Sequence, residues 1–92
     1  MSTQEVFKVP IKKELSREDR EMLRNVAQNI IFLMEEHDLS IRKLAREIDE
    51  SRSTVHNYLS CRNPATIPFL NKVAKRFNKS IDWLVTKHRI GR

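Results

Sequence analysis

One cysteine, one glycine and three prolines are all that 92 residues contain of these types. With Cys61 alone, no intramolecular disulfide can form, so packing must hold the core, and the usage suits a reducing cytosol better than secretion. Scarce glycine argues against an all-β architecture, whose tight turns draw on it. Long hydrophobic runs are missing too: the longest, Ile30 to Met34, has five residues, against about 20 needed to cross a bilayer. Met1 to Glu5 is polar and acidic where a secretory leader is basic and then apolar. These absences predict a soluble, cytoplasmic protein with no membrane span. His37, His88 and Cys61 lack the local spacing of a zinc site, and no His, Ser and Asp set stands out as catalytic. No metal, no cofactor and no enzymatic activity are expected.

What is present is charge: 33% of residues are charged and 39% hydrophobic, the composition of one folded, helical domain too small for a cleft between two. The formal net charge of +6 is unevenly placed. Residues 1–19 are balanced and residues 20–39 carry two basic against four acidic groups. Residues 40–63 carry five against three, and residues 71–92 carry seven against one. A basic second half suits an anionic partner such as nucleic acid or acidic lipid.

Val6-Phe7-Lys8-Val9-Pro10-Ile11-Lys12 alternates apolar residues with basic ones or proline, the pattern of an extended arm over residues 1–15. A globular unit follows over 16–88, and 89–92 should fray. Ser16 reads as the N-cap of a long helix over about 17–37. Its apolar positions Leu23, Val26, Ile30 and Leu33 are joined by Met22, Ala27, Ile31, Phe32 and Met34, a stripe broad enough to imply a further covering element. Ser40 caps a second helix, Ile41 to Ile48, and Asp49-Glu50 makes a turn. Ser51 caps a third, Arg52 to Leu59, and Thr66 a fourth that ends at Asn78-Lys79. Ser80 caps a fifth, Ile81 to about Lys87.

Two short serine-capped helices joined by a tight turn, the second with a polar face free of acids, describe a helix-turn-helix. The major groove of B-DNA admits one α-helix, and paired hydrogen bonds read its base edges, Arg to guanine and Asn to adenine. Arg52 and Asn57 carry those chemistries, and Ser53 can bond to base or phosphate.

Four anchors occur in order: Leu39-Ser40-Ile41-Arg42-Lys43-Leu44-Ala45, Ser51-Arg52-Ser53-Thr54-Val55, Asn63-Pro64 and Ser80-Ile81-Asp82-Trp83-Leu84. Through them the sequence resembles the lambda repressor and Cro type (XRE-like) of helix-turn-helix over about residues 20–87. The resemblance implies an all-α, compact five-helix bundle whose third helix enters the major groove, placing Arg52, Ser53 and Asn57 at base edges with His56 beside them. It also implies phosphate contacts from Ser40, Arg42 and Lys43 on the second helix, from Ser51 at the head of the third, and from Arg62, Asn63 and Thr66 beyond it.

Four positions depart from the family's habits. Asp49 stands where a small Gly is usual between the two helices, and it can adopt positive φ at some cost. Cys61 stands where Gly is preferred after the recognition helix, so either that loop differs or Cys61 is strained. Ile41 replaces a Gln that braces the first recognition residue, leaving Arg52 freer to choose its partner. Met34 and Leu59 replace a buried Arg–Glu pair, an exchange an apolar pair makes without loss of stability.

The implied function is a sequence-specific transcriptional regulator, a repressor in bacterial or phage fashion, binding double-stranded palindromic operator DNA as a homodimer. The last helix, around Trp83 and Val85, is the expected dimer interface. A protein-interaction module of an antitoxin-like or phage-control system, using the apolar first helix and the arm, is the alternative. The arm itself either packs on the first helix through Phe7, Val9 and Ile11 or follows DNA through Lys8, Lys12 and Lys13.

Overall fold

A side-chain hydroxyl opens every helix in the computed structural model, which describes residues 15–88. The helices are α1 Arg17–Glu36, α2 Ile41–Glu47, α3 Arg52–Leu59, α4 Ile67–Phe77 and α5 Ile81–Val85, with no strand among the described residues. Their N-caps are Ser16, Ser40, Ser51, Thr66 and Ser80, and each accepts a hydrogen bond from the backbone N–H three residues on. One otherwise unpaired donor per helix is thereby satisfied, a gain of about 1 kcal/mol each. Residues 1–14, which hold nearly all of the expected arm, and residues 89–92, the expected frayed end, lie outside the described residues.

The first four helices also end alike. Asp38, Asp49, Cys61 and Asn78 have φ of 55°, 60°, 62° and 56°. Just past each, the backbone N–H of Leu39, Glu50, Arg62 and Lys79 donates to the carbonyl of Met34, Ala45, Asn57 and Ala74, at 2.8–2.9 Å. This is the Schellman closure, which glycine usually serves because it has no Cβ. Asp and Asn tolerate the left-handed region better than most side chains. At Asp49 the positive φ anticipated from the sequence is present, and the turn is intact. At Cys61 the two alternatives resolve the same way: the loop keeps its closure and Cys61 takes the strained backbone.

The core is a single cluster that draws Val26, Ile30, Leu33 and Met34 from α1, Leu44 and Ala45 from α2 with Ile48 beyond it, and Val55 from α3. From α4 come Phe69, Leu70, Val73, Ala74 and Phe77, and from α5 Leu84. α1 packs against both α3 and α5, while α2 packs on α3 and α4 on α5. Burying a side chain such as Ile30 or Leu44 contributes roughly 1.5–3 kcal/mol, and both are fully buried. Met34 is buried and Leu59 packs on the same cluster, as the apolar replacement of an ion pair requires.

Along the broad apolar stripe of α1, Phe32 packs on the core, while Met22 and Ile31 remain 46% and 40% exposed. Nine residues apart, those two stand about 180° from each other round a helix. One expectation, the length of the last helix, needs correction: it stops at Val85, two residues short of Lys87. The buried Asn29 side chain of α1 explains the early stop, because its Nδ2 donates to the carbonyls of Leu84 and Thr86 at 2.8 Å each, with Trp83 at 3.3 Å. Asn25 Nδ2 donates to Val85 O at 3.4 Å. Carbonyls that would otherwise end α5 unpaired are taken by α1. No described helix is long and apolar enough to cross a membrane.

Candidate nucleic-acid interface

α3 is anchored from one side and polar on the other. Val55 is fully buried, and Tyr58 and Leu59 pack on the core, with the Tyr58 ring 4.4 Å from that of Phe69. Helical periodicity then turns Arg52, Ser53, His56 and Asn57 outward. These four side chains and Ile41 of α2 line one open cleft of about 350 Å³. All four sequence-predicted base-reading residues are therefore brought together. Arg52, Ser53 and His56 are exposed and Asn57 is half-buried.

The contribution of Ile41 goes beyond failing to brace Arg52: it supplies the apolar wall of the cleft. An apolar surface beside hydrogen-bonding side chains suits a base step that presents a thymine methyl next to polar edges. Sequence reasoning took Ile41 for an inward-facing residue of the second helix and for what it replaces; Ile41 does pack on the core, half-buried, but also lines the cleft. Its position at the start of α2, facing the outer side of α3, was the available signal.

None of the expected phosphate-contacting residues lines this cleft. Arg42 and Lys43 are exposed in the first turn of α2. The Ser40 Oγ accepts from Lys43 N at 3.1 Å. At the head of α3 the Ser51 Oγ accepts from Thr54 N at 3.1 Å, and the hydroxyl donates to Thr54 Oγ1 at 2.7 Å. Beyond α3, Arg62 and Asn63 are exposed, and their backbone N–H groups both donate to Asn57 O, at 2.9 and 3.2 Å. That shared carbonyl fixes the loop onto α3. Thr66 accepts from Phe69 N at 3.3 Å at the head of α4. Trp83 and Val85 are half-buried against the core of their own chain. The Trp83 ring stacks on His88 at 4.3 Å, with Lys79 Nζ 4.7 Å from its centre.

The acids near the motif are drawn away from this surface. Glu50 pairs with Lys72 at 2.7 Å, and Glu47 pairs with Arg76, both on α4. Lys72 Nζ also donates to Asp49 O at 3.4 Å. These are the two ion pairs among the described residues, and neither engages Arg42, Lys43, Arg52 or Arg62. Cations without an ion-pair partner among the described residues, on a motif in which α3 carries no acid, form a field that attracts a polyanion.

Residues missed by sequence reasoning include Asn29 and Asn25, which hold α5 and with it the second half of the bundle. The signal was present: Asn29 is a polar residue on the Val26, Ile30, Leu33 stripe, and a buried amide in such a position implies a hydrogen-bond partner.

A bundle that presents a capped polar helix beside a shorter partner, across a tight turn with positive φ, defines the DNA-binding helix-turn-helix class. The family model described as Helix-turn-helix matches residues 30–84, and the chain belongs to that family, in its lambda repressor-like form. Its function is accordingly that of a DNA-binding regulator. No curated protein and no solved structure matches the chain.

Proposed function

We propose that residues 16–88 form a sequence-specific transcriptional repressor unit, acting in the cytoplasm, that binds a palindromic operator as a homodimer with α3 in the major groove. The observation carrying this reading is the gathering of Arg52, Ser53, His56 and Asn57 into one acid-free cleft. In it Arg52 pairs with the O6 and N7 of guanine and Asn57 with the N6 and N7 of adenine. Ser53 bonds to a base edge or phosphate, and His56 extends the polar row. Ser40, Arg42, Lys43, Ser51, Arg62, Asn63 and Thr66 hold the flanking phosphates and fix the register of α3.

One recognition helix of eight residues reads few base pairs. Specificity then calls for two of them about 34 Å apart, one turn of the duplex. A symmetric dimer supplies this spacing, and the partly exposed Trp83 and Val85 on α5 are its proposed contact.

Selection of bound duplexes from a random pool at ~150 mM salt tests the reading, because nonspecific electrostatic binding weakens steeply there. An enriched palindrome with half-sites one helical turn apart is the expected result. Absence of any enriched sequence overturns the assignment and favours a protein-interaction module of the antitoxin-like or phage-control kind.

A further inference from the structure

α1 carries a feature that the helix-turn-helix unit does not use. Arg17, Arg20 and Arg24 are all exposed and together line a cleft of about 270 Å³. Their i, i+3, i+7 spacing stacks them on one face over successive turns. They precede Ile30, where the family match begins, so this stretch of α1 lies outside the segment that match covers.

Three observations indicate which partner the stripe fits. Seven residues of helix advance about 10.5 Å, close to three phosphate-to-phosphate steps of one DNA strand at about 3.4 Å of axial rise each, so the three arginines match a run of four successive phosphates. No carboxylate lies within 4.0 Å of these guanidinium groups among the described residues. Glu21 borders the stripe, while Glu18 and Asp19 point round the helix from it. The loop that follows α3 reaches this part of α1: Cys61 Sγ sits 3.7 Å from Leu23 O. Arg20 and Arg24 stand about 60° and 100° round the helix from Leu23. The opposite flank, at Asn25 and Asn29, faces α5 instead. Arg62 and Asn63 follow Cys61 directly, so the loop next to this part of α1 carries a further exposed cation and amide.

We propose that Arg17, Arg20 and Arg24 form a phosphate-binding track that grips the duplex backbone flanking the base pairs read by α3. The proposal rests on the DNA-binding reading above and extends it to a second, sequence-independent contact. The three guanidinium groups donate to phosphate oxygens, with bidentate geometry available to each.

The test compares the full chain with the triple variant R17Q/R20Q/R24Q, in which glutamine keeps helix propensity close to that of arginine. Thermal melts first establish that the variant is folded. Binding to the selected duplex is then measured against salt concentration, with the duplex either trimmed to its half-sites or extended on both flanks. Loss of three phosphate contacts is expected to make the slope of log K against log salt shallower by about 2.7, at about 0.9 per contact. Flank extension is expected to strengthen binding of the wild type but not of the variant, and the sequence preference of the two is expected to be the same.

An unchanged slope with unchanged flank dependence overturns the track while leaving operator recognition standing. Lys75→Gln, an exposed cation on α4, serves as the charge control, and an equal change per charge there assigns the effect to net charge and overturns the site. Binding to phosphatidylserine vesicles that depends on the three arginines, with an unchanged DNA slope, assigns the stripe to a membrane surface and also overturns it. If the wild type binds no duplex at all, the DNA reading fails first and the track falls with it.

Discussion

Replacing Asn29 with alanine removes the group that joins α1 to α5. Its amide is 1% exposed and lies 2.8 Å from two carbonyl oxygens, of Leu84 and Thr86. Two such bonds contribute about 0.5–1.5 kcal/mol each, and a carbonyl left buried without a donor costs a further 1–3 kcal/mol or so. Asn29→Ala is therefore expected to lower stability by about 2–6 kcal/mol, and the melting temperature by roughly 10 °C or more in a domain of this size. Asn29→Asp keeps the shape but turns an acceptor toward carbonyl oxygens, so at pH 7 it should cost more than alanine. Burial among acceptors raises the introduced carboxyl above its unfolded pKa of about 3.9. Its penalty is thus smallest below that value, where the protonated group can donate, and grows as pH rises toward the folded pKa. Urea denaturation at pH 4 and pH 7, followed by circular dichroism, reads all of this. A loss below about 1 kcal/mol for alanine, or an aspartate variant no worse than alanine with no pH dependence, refutes the reasoning.

Three further outcomes are expected. Arg52→Ala should cost about 1–3 kcal/mol on the selected operator and relax preference at one base step, whereas Arg42→Ala should weaken all duplexes alike and reduce the salt slope by about 1. Uniform losses for both, measured across a panel of single-base operator variants, contradict the assigned roles. Cys61→Gly should raise stability by up to about 1 kcal/mol, because glycine adopts the positive φ without steric cost. A destabilised glycine variant in thermal melts shows instead that the Cys61 side chain contributes more than its backbone strain costs. Glu50→Gln should change stability by less than about 1 kcal/mol, with the difference shrinking in high salt, since the Lys72–Glu50 pair is partly exposed.

Much of the fold was legible because its boundaries are written in single residues. Ser16, Ser40, Ser51, Thr66 and Ser80 each open a helix where the sequence places a cap, and α3 runs from Arg52 to Leu59 as read from the sequence. The outward polar row of α3 was legible as well, because Val55, Tyr58 and Leu59 turn inward and so fix where Arg52, Ser53, His56 and Asn57 point. The early end of α5 was not, because it depends on Asn29, more than 50 residues away in sequence. A local pattern carries no record of such a partner. The arginine stripe escaped for a different reason: three exposed cations on a helix are ordinary until the Leu23–Cys61 contact brings the loop after α3 beside that part of α1.

The repeated closure at Asp38, Asp49 and Asn78 has a consequence for how quickly this chain organises itself. In each case one residue at positive φ is followed two positions later by the serine that caps the next helix. Three of the four joints are thus specified by a few neighbouring residues and need no distant contact to form. Loop closure over so few residues costs little entropy and takes well under a microsecond. Folding is expected in the microsecond-to-millisecond range typical of helical domains with local contacts. The docking of α5 onto Asn29 is the step that must span the chain, so α5 should be the last helix to gain amide protection during refolding and the first to lose it on unfolding.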